Sequence, residues 1–96
     1  MVIISKGTLK KFFEKYPAAT KPVLEWYDKA KGADWMDFSE LRKTFGSADY
    51  ADGLFIFNVG GNKYRIIARI FFSVRTIYIR FIGTHAEYDK VKLSDL

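Results

Sequence analysis

"LFIFNVGGNKYRIIARIFFSVRTIYIRFI", residues 54–82, is the stretch whose reading decides the fold. It divides into three strands, 54–59, 63–72 and 76–82, because β-branched and aromatic residues dominate each run. The breaks between them, "GGN" (60–62) and "SVR" (73–75), are too short for anything but hairpins, so the strands form an antiparallel meander. Alternation along each strand assigns two faces. Tyr64, Ile66, Ala68, Ile70 and Phe72 share one, continued by Ile77, Ile79 and Phe81 and by Phe55, Phe57 and Val59. That is the expected core face. The opposite face carries Asn58, Lys63, Arg65, Arg69, Tyr78 and Arg80, with Ile56, Ile67, Phe71 and Ile82 among them.

The residues upstream supply the layer that covers the core face. "VIIS" (2–5) is a short strand. Ser5 or Thr8 opens a helix in which Leu9, Phe12, Phe13 and Tyr16 follow the i, i+3, i+4, i+7 spacing of an amphipathic stripe, and Pro17 stops it. Thr20 with Pro22 starts a second helix, whose Val23, Trp26, Tyr27 and Ala30 repeat the spacing before "KG" at 31–32 ends it. The aromatics of both stripes belong to the core. "DFSELRKTFG" (37–46) is a third helix with a D-x-x-E start, Asp37 and Glu40, and Gly46 at its stop. "SADYADG" (47–53) is a turn-rich loop. The expected fold is α+β: N-terminal helices packed on one face of a small antiparallel β-sheet, then a short C-terminal helix. Residues 1–96 form one domain.

Composition narrows the function. Ninety-six residues suffice for one small core. The chain is 49% hydrophobic and 28% charged, a globular composition. With no cysteine, disulfide frameworks and thiolate metal sites are excluded. One histidine leaves a zinc site dependent on carboxylates, which is uncommon, so no metal or cofactor is expected. No apolar run approaches the roughly 20 residues of a membrane span, and "MVIISKGTLKK" lacks the long apolar segment of a signal peptide. A cytoplasmic protein is the expectation.

The net charge of +5 is unevenly placed. Residues 54–82 hold Lys63, Arg65, Arg69, Arg75 and Arg80 and no acidic residue, while the other 11 basic residues are matched by 11 acidic ones. A merely solvated sheet face usually carries both signs of charge. A one-sided arginine face mixed with aromatic groups points to an anion, and RNA is the class it fits best.

"THAEYDK" (84–90) lies at the end of the last strand and holds the only histidine, His85. Thr84 and Glu87 spell a T-x-x-E capping box, so one reading is simply a helix start. The other reading adds the neighbouring basic face. RNA cleavage without a metal needs a base for the 2′-hydroxyl proton, cations for the phosphate and an acid for the leaving 5′-oxygen. His85, Glu87, Tyr88 or Asp89, with Arg65 and Arg69, meet those needs. A helix N-terminus disfavours imidazolium, whereas Glu87 and bound phosphate favour it. "NVGGNKYR" matches neither the Walker loop nor G-x-G-x-x-G and precedes a strand, so it reads as a hairpin turn that fixes Asn62, Lys63 and Arg65.

"FNVGGNKYRIIARIFF" followed by "IRFIGTHAEYDK" resembles the HigB family of bacterial type II toxin–antitoxin systems, within the RelE-like superfamily. The likeness runs over almost the whole chain, and these two segments are its specific part. It implies a messenger RNA endonuclease acting at the ribosome, a helix-turn-helix antitoxin partner, and DNA contact only through the antitoxin complex. On this reading His85, Arg65, Arg69, Tyr88 and Glu87 are the catalytic set. Arg65 and Arg69 hold the scissile phosphate, His85 is the general acid, and Tyr88 or Glu87 orients it or acts as base. Asn62, Lys63, Arg80, Tyr78 and Asp89 bind RNA. The competing readings are a non-catalytic RNA- or ribosome-binding module and a protein-interaction module whose basic face meets an acidic partner.

Overall fold

A computed structural model describes residues 1–5 and 7–96. Five strands form one sheet in the order β1-β5-β4-β3-β2: β1 (Val2–Ile4), β2 (Asp49–Ala51), β3 (Leu54–Val59), β4 (Tyr64–Phe71) and β5 (Thr76–Thr84). The helices are α1 (Thr8–Lys15), α2 (Thr20–Lys31), α3 (Phe38–Thr44) and α4 (His85–Tyr88). No helix among the described residues is long and apolar enough to cross a membrane.

The meander runs as expected through β3, β4 and β5, all antiparallel. Two features extend it. Asp49–Ala51, expected as loop, pairs antiparallel with β3 as an edge strand. β1 joins the other edge parallel to β5, so the sheet is mixed instead of purely antiparallel. A three-residue strand has too little alternation to be distinguished from loop in sequence.

The helical stripes cover one sheet face. Leu9, Phe12, Val23, Trp26 and Ala30 are buried there with Phe55, Phe57, Val59, Tyr64, Ile66, Ala68, Ile70, Ile77 and Ile79, and Phe13, Tyr16 and Tyr27 pack at the margin. Edge-on ring contacts, such as Trp26–Phe57 at 5.2 Å between centroids, knit helices to sheet. Helix ends follow local chemistry with small shifts. Thr8 is the first residue of α1, whose N-cap is Gly7. Asp37 caps α3 by accepting from the Glu40 N–H, but Glu40 reaches back to the Met36 N–H and not to the cap itself.

The alternation fails in one place. Ile67 pairs with Phe81 and Ala68 with Ile79, which leaves Arg80 as an extra residue in β5. A bulge of this kind reverses the facing of everything beyond it. Phe81, expected in the core, therefore lies on the opposite face with Ile67, and Ile82, expected on the basic face, packs into the helix-covered core. Thr84, two residues later, pairs with Tyr64 and falls on the helix side.

The opposite face is itself partly covered. Leu54, Ile56 and Ile67 form a second cluster, closed over by Ala51, Phe81, Tyr88, Val91, Leu93 and Leu96. The tail after α4 thus crosses the middle of the face that carries the arginines. Ile67 is 0% exposed.

Candidate active site

The tail divides the basic face into two ends. At the first end lie the β3–β4 turn and α4. Gly60, Gly61 and Asn62 all take positive φ, 65°, 62° and 80°. Two glycines make such a turn accessible at low cost, and Asn is among the few other residues that tolerate it. The turn brings Asn62 back over β4. Its side-chain Oδ1 accepts from Arg65 Nη2 at 2.6 Å, and its carbonyl accepts from Arg65 Nη1 at 3.2 Å. The Tyr64 carbonyl accepts from the same Nη1 at 3.2 Å.

Among the described residues Arg65 is the buried charged one, 7% exposed. Its guanidinium carbon lies 5.5 Å from the centroid of the Tyr88 ring. Among the described residues no carboxylate pairs with it. Carbonyl dipoles and a ring face hold the cation in place but leave its charge uncompensated, an arrangement that is costly unless an anion arrives. The guanidinium donates three hydrogen bonds among the described residues, none of them from its Nε–H.

Helix α4 is tied to this turn by the His85 N–H, which donates to the Lys63 carbonyl at 3.0 Å. The capping box is complete: Thr84 Oγ1 accepts from the Glu87 N–H at 3.2 Å, and Glu87 Oε1 accepts from the Thr84 N–H at 2.8 Å. His85 Nδ1 lies 3.2 Å from Asp89 Oδ2, one helical turn on, with both side chains about half exposed. That contact occupies Nδ1 and leaves Nε2 without a partner among the described residues. His85, Tyr88 and Asp89 fall on one side of the turn by the i, i+3, i+4 rule. Glu87 falls on the other, where its Oε2 meets Lys15 Nζ of α1 at 3.4 Å.

Both Glu87 oxygens are therefore engaged. The Thr84 backbone N–H first, and Lys15 second, hold its carboxyl below the ordinary value of 4.5, against the opposing effect of partial burial. A carboxylate favoured in the folded state stabilises the fold above its unfolded pKa and loses that contribution as pH falls through the folded one. Glu87→Gln is expected to cost up to about 1 kcal/mol near pH 7, the pair being accessible and screened. The difference from wild type shrinks once pH drops below 4.5. Urea unfolding of both proteins at about pH 7 and about pH 3.5 checks this; a pH-independent difference rules out the ion-dependent cap.

The second end lies past the tail. Arg69 sits four residues beyond Arg65 on β4, about 13 Å away at the strand rise. Its Nη1 donates toward the Gly53 carbonyl at 3.5 Å, in the β2–β3 turn, so the two guanidinia reach in opposite directions. Tyr78 pairs across from Arg69, and Arg80 is the bulge residue. The structure thus brings together Asn62, Lys63, Arg65, His85, Tyr88 and Asp89 at one end, with Glu87 on the far side of the same helical turn. It does not bring Arg69, Tyr78 or Arg80 to that group. The apolar residues Val91, Leu93 and Leu96 of the covering tail are the sequence signal of this second layer.

An α+β fold with helices on one face of a five-stranded mixed sheet is consistent with a RelE-like protein. Residues 19–91 match the model of a family described as the RelE-like toxic component of a toxin–antitoxin system, a span that holds both the glycine turn and the capping box. The chain belongs to this family, the HigB toxins. The mRNA interferase toxin HigB of Escherichia coli (strain K12) is 35% identical over 92 residues, covering 93% of this chain and 88% of the relative. The mRNA interferase HigB of Shigella flexneri matches to the same extent. That of Escherichia coli O6:H1 is 34% identical over 94 residues, 95% of this chain and 91% of the relative.

Proposed function

We propose that this chain is an mRNA interferase, an endoribonuclease that cleaves messages by metal-independent transesterification at the Arg65–His85 end of the sheet. The observation that carries the reading is Arg65: a guanidinium 7% exposed, fixed by Asn62 and Tyr88, with no carboxylate partner among the described residues. Such a group is built for an anion, and a scissile phosphate supplies one. The relatives named as mRNA interferases cover most of this chain, which supports the same substrate here.

In the proposed reaction the 2′-oxygen attacks the adjacent phosphorus and the bond from phosphorus to the 5′-oxygen breaks. The products are a 2′,3′-cyclic phosphate and a 5′-hydroxyl. Arg65 holds the phosphate oxygens and offsets their growing charge. His85 donates a proton to the departing 5′-oxygen, with Asp89 orienting the ring through Nδ1. Tyr88, acting as the phenolate beside the Arg65 cation, takes the 2′-hydroxyl proton. Lys63 and Asn62 flank the phosphate seat, and Glu87 acts by holding α4 in place. Residues 1–96 act as one toxin domain in the cytoplasm, on messages at the ribosome. A helix-turn-helix antitoxin neutralises it and mediates any contact with DNA.

Induced expression in bacteria, with mapping of message 5′ ends, tests the reading. New 5′-hydroxyl ends are expected, each matched by an upstream fragment ending in a 2′,3′-cyclic phosphate. Ends bearing 5′-phosphate, as a metal-activated water would leave, would overturn the chemistry.

A further inference from the structure

The second end of the basic face has features that the cleavage site does not use. Of nine phenylalanines only Phe71 is exposed among the described residues, at 50%. Its ring meets that of Tyr78, itself 37% exposed, edge-on at 5.7 Å between centroids. Both rings stand on the sheet face opposite the helices, and neither belongs to either apolar cluster. Arg69 is the direct cross-strand partner of Tyr78. Neither Arg69 nor Arg80 forms an ion pair among the described residues. Arg80, the bulge residue, and Tyr78 line a crevice of about 120 Å³ together with the hydroxyl-bearing Ser5 and Thr8. Two open aromatic faces between unpaired arginines form a stacking platform with a phosphate track, the combination by which proteins hold single-stranded nucleic acid.

We propose that Phe71, Tyr78, Arg69 and Arg80 form a second RNA subsite, which holds nucleotides of the message outside the cleaved bond. One base stacks on the Phe71–Tyr78 pair, and a backbone phosphate enters the crevice at Arg80. The inference rests on RNA being the substrate. The roughly 13 Å between Arg65 and Arg69 along β4 exceeds what one phosphate bridges, and the buried Ile67 with its covering tail stands between them. RNA must therefore run over the tail to engage both ends, so the subsite acts only on oligomers long enough to span it.

Fluorescence anisotropy with 2′-O-methyl oligoribonucleotides of about 2 to about 12 residues reads this directly. Their 2′-oxygens carry no proton, so binding is observed without cleavage. Wild-type affinity is expected to step up about tenfold once the oligomer reaches across the tail. Tyr78→Ala removes the step and Tyr78→Phe retains it. Arg80→Gln lowers the slope of log affinity against log salt by about 0.7. These side chains are exposed, and circular dichroism confirms that each variant folds. A flat length dependence in wild type, or a step that survives Tyr78→Ala, overturns the proposal. So does a loss confined to binding of a partner protein. Mapping cut ends on unmodified RNA reads the Arg65–His85 chemistry separately. A length step without cleavage removes the proposed reaction and supports the subsite, and cleavage without a step does the reverse.

Discussion

Arg65→Ala is expected to lower the rate of message cleavage by about 10²–10³-fold, or about 2.7–4 kcal/mol of transition-state stabilisation. A preorganised donor aimed at developing charge typically costs this much when removed. Arg65 is preorganised in an unusual degree: Asn62 grips it through both a carbonyl and a side-chain oxygen, and Tyr88 backs it. Arg65→Lys is expected to recover little, because an ammonium cannot reproduce the planar fork or stack on the ring. The same burial complicates the experiment, since truncation leaves the Asn62 Oδ1 and two carbonyls without their donor, at about 1–3 kcal/mol in stability. Urea unfolding beside the cleavage assay separates the two. Asn62→Ala sharpens the comparison, for it keeps the charge but removes the 2.6 Å side-chain acceptor and leaves the two backbone carbonyls. Its expected signature is a loss of rate at unchanged salt dependence. If Arg65→Ala folds and cleaves within a factor of about three of wild type, Arg65 is not the phosphate seat.

The sequence carried the meander because both hairpin breaks are short and both flanking strands alternate cleanly over six residues or more. It carried the capping box because Thr84 and Glu87 stand at the T-x-x-E spacing of a helix start. It did not carry the bulge. Nothing in "YIRFIG" marks Arg80 as the extra residue, since an arginine between apolar neighbours looks like ordinary alternation, yet that residue decides which way Phe81 and Ile82 face. Treating the arginines as one convergent surface followed from strand parity alone. Parity places Arg65 and Arg69 on one face correctly, but it is blind to a third layer. The tail through Val91, Leu93 and Leu96 is that layer, and it turns one surface into two. Glu87 shows the same limit at a single side chain. Its neighbours in sequence suggested a catalytic carboxylate, whereas Lys15, seventy-two positions away, completes its engagement on the helix side.

His85→Ala is expected to slow cleavage by about 10²–10⁴-fold, the range for a positioned general acid. The residue is exposed and stands outside both apolar clusters of the described residues, so its removal leaves the fold intact and the loss falls on chemistry. An acid and a base are told apart by changing the leaving group. A substrate whose bridging 5′-oxygen is replaced by sulfur expels a thiolate, which departs without a proton. If His85 protonates the leaving group, the sulfur substrate restores most of the lost rate to His85→Ala and changes wild type little. If His85 instead takes the 2′-hydroxyl proton, that step is still needed and the defect persists. Asp89→Asn gives the companion result. It keeps the shape of the His85 contact but removes the charge that fixes the ring through Nδ1, so a smaller loss of about tenfold is expected. The Asp89 defect should vanish in the His85→Ala background, because a positioning residue has nothing left to position. Independent, additive losses would place Asp89 on the RNA itself and leave His85 without its orienting partner.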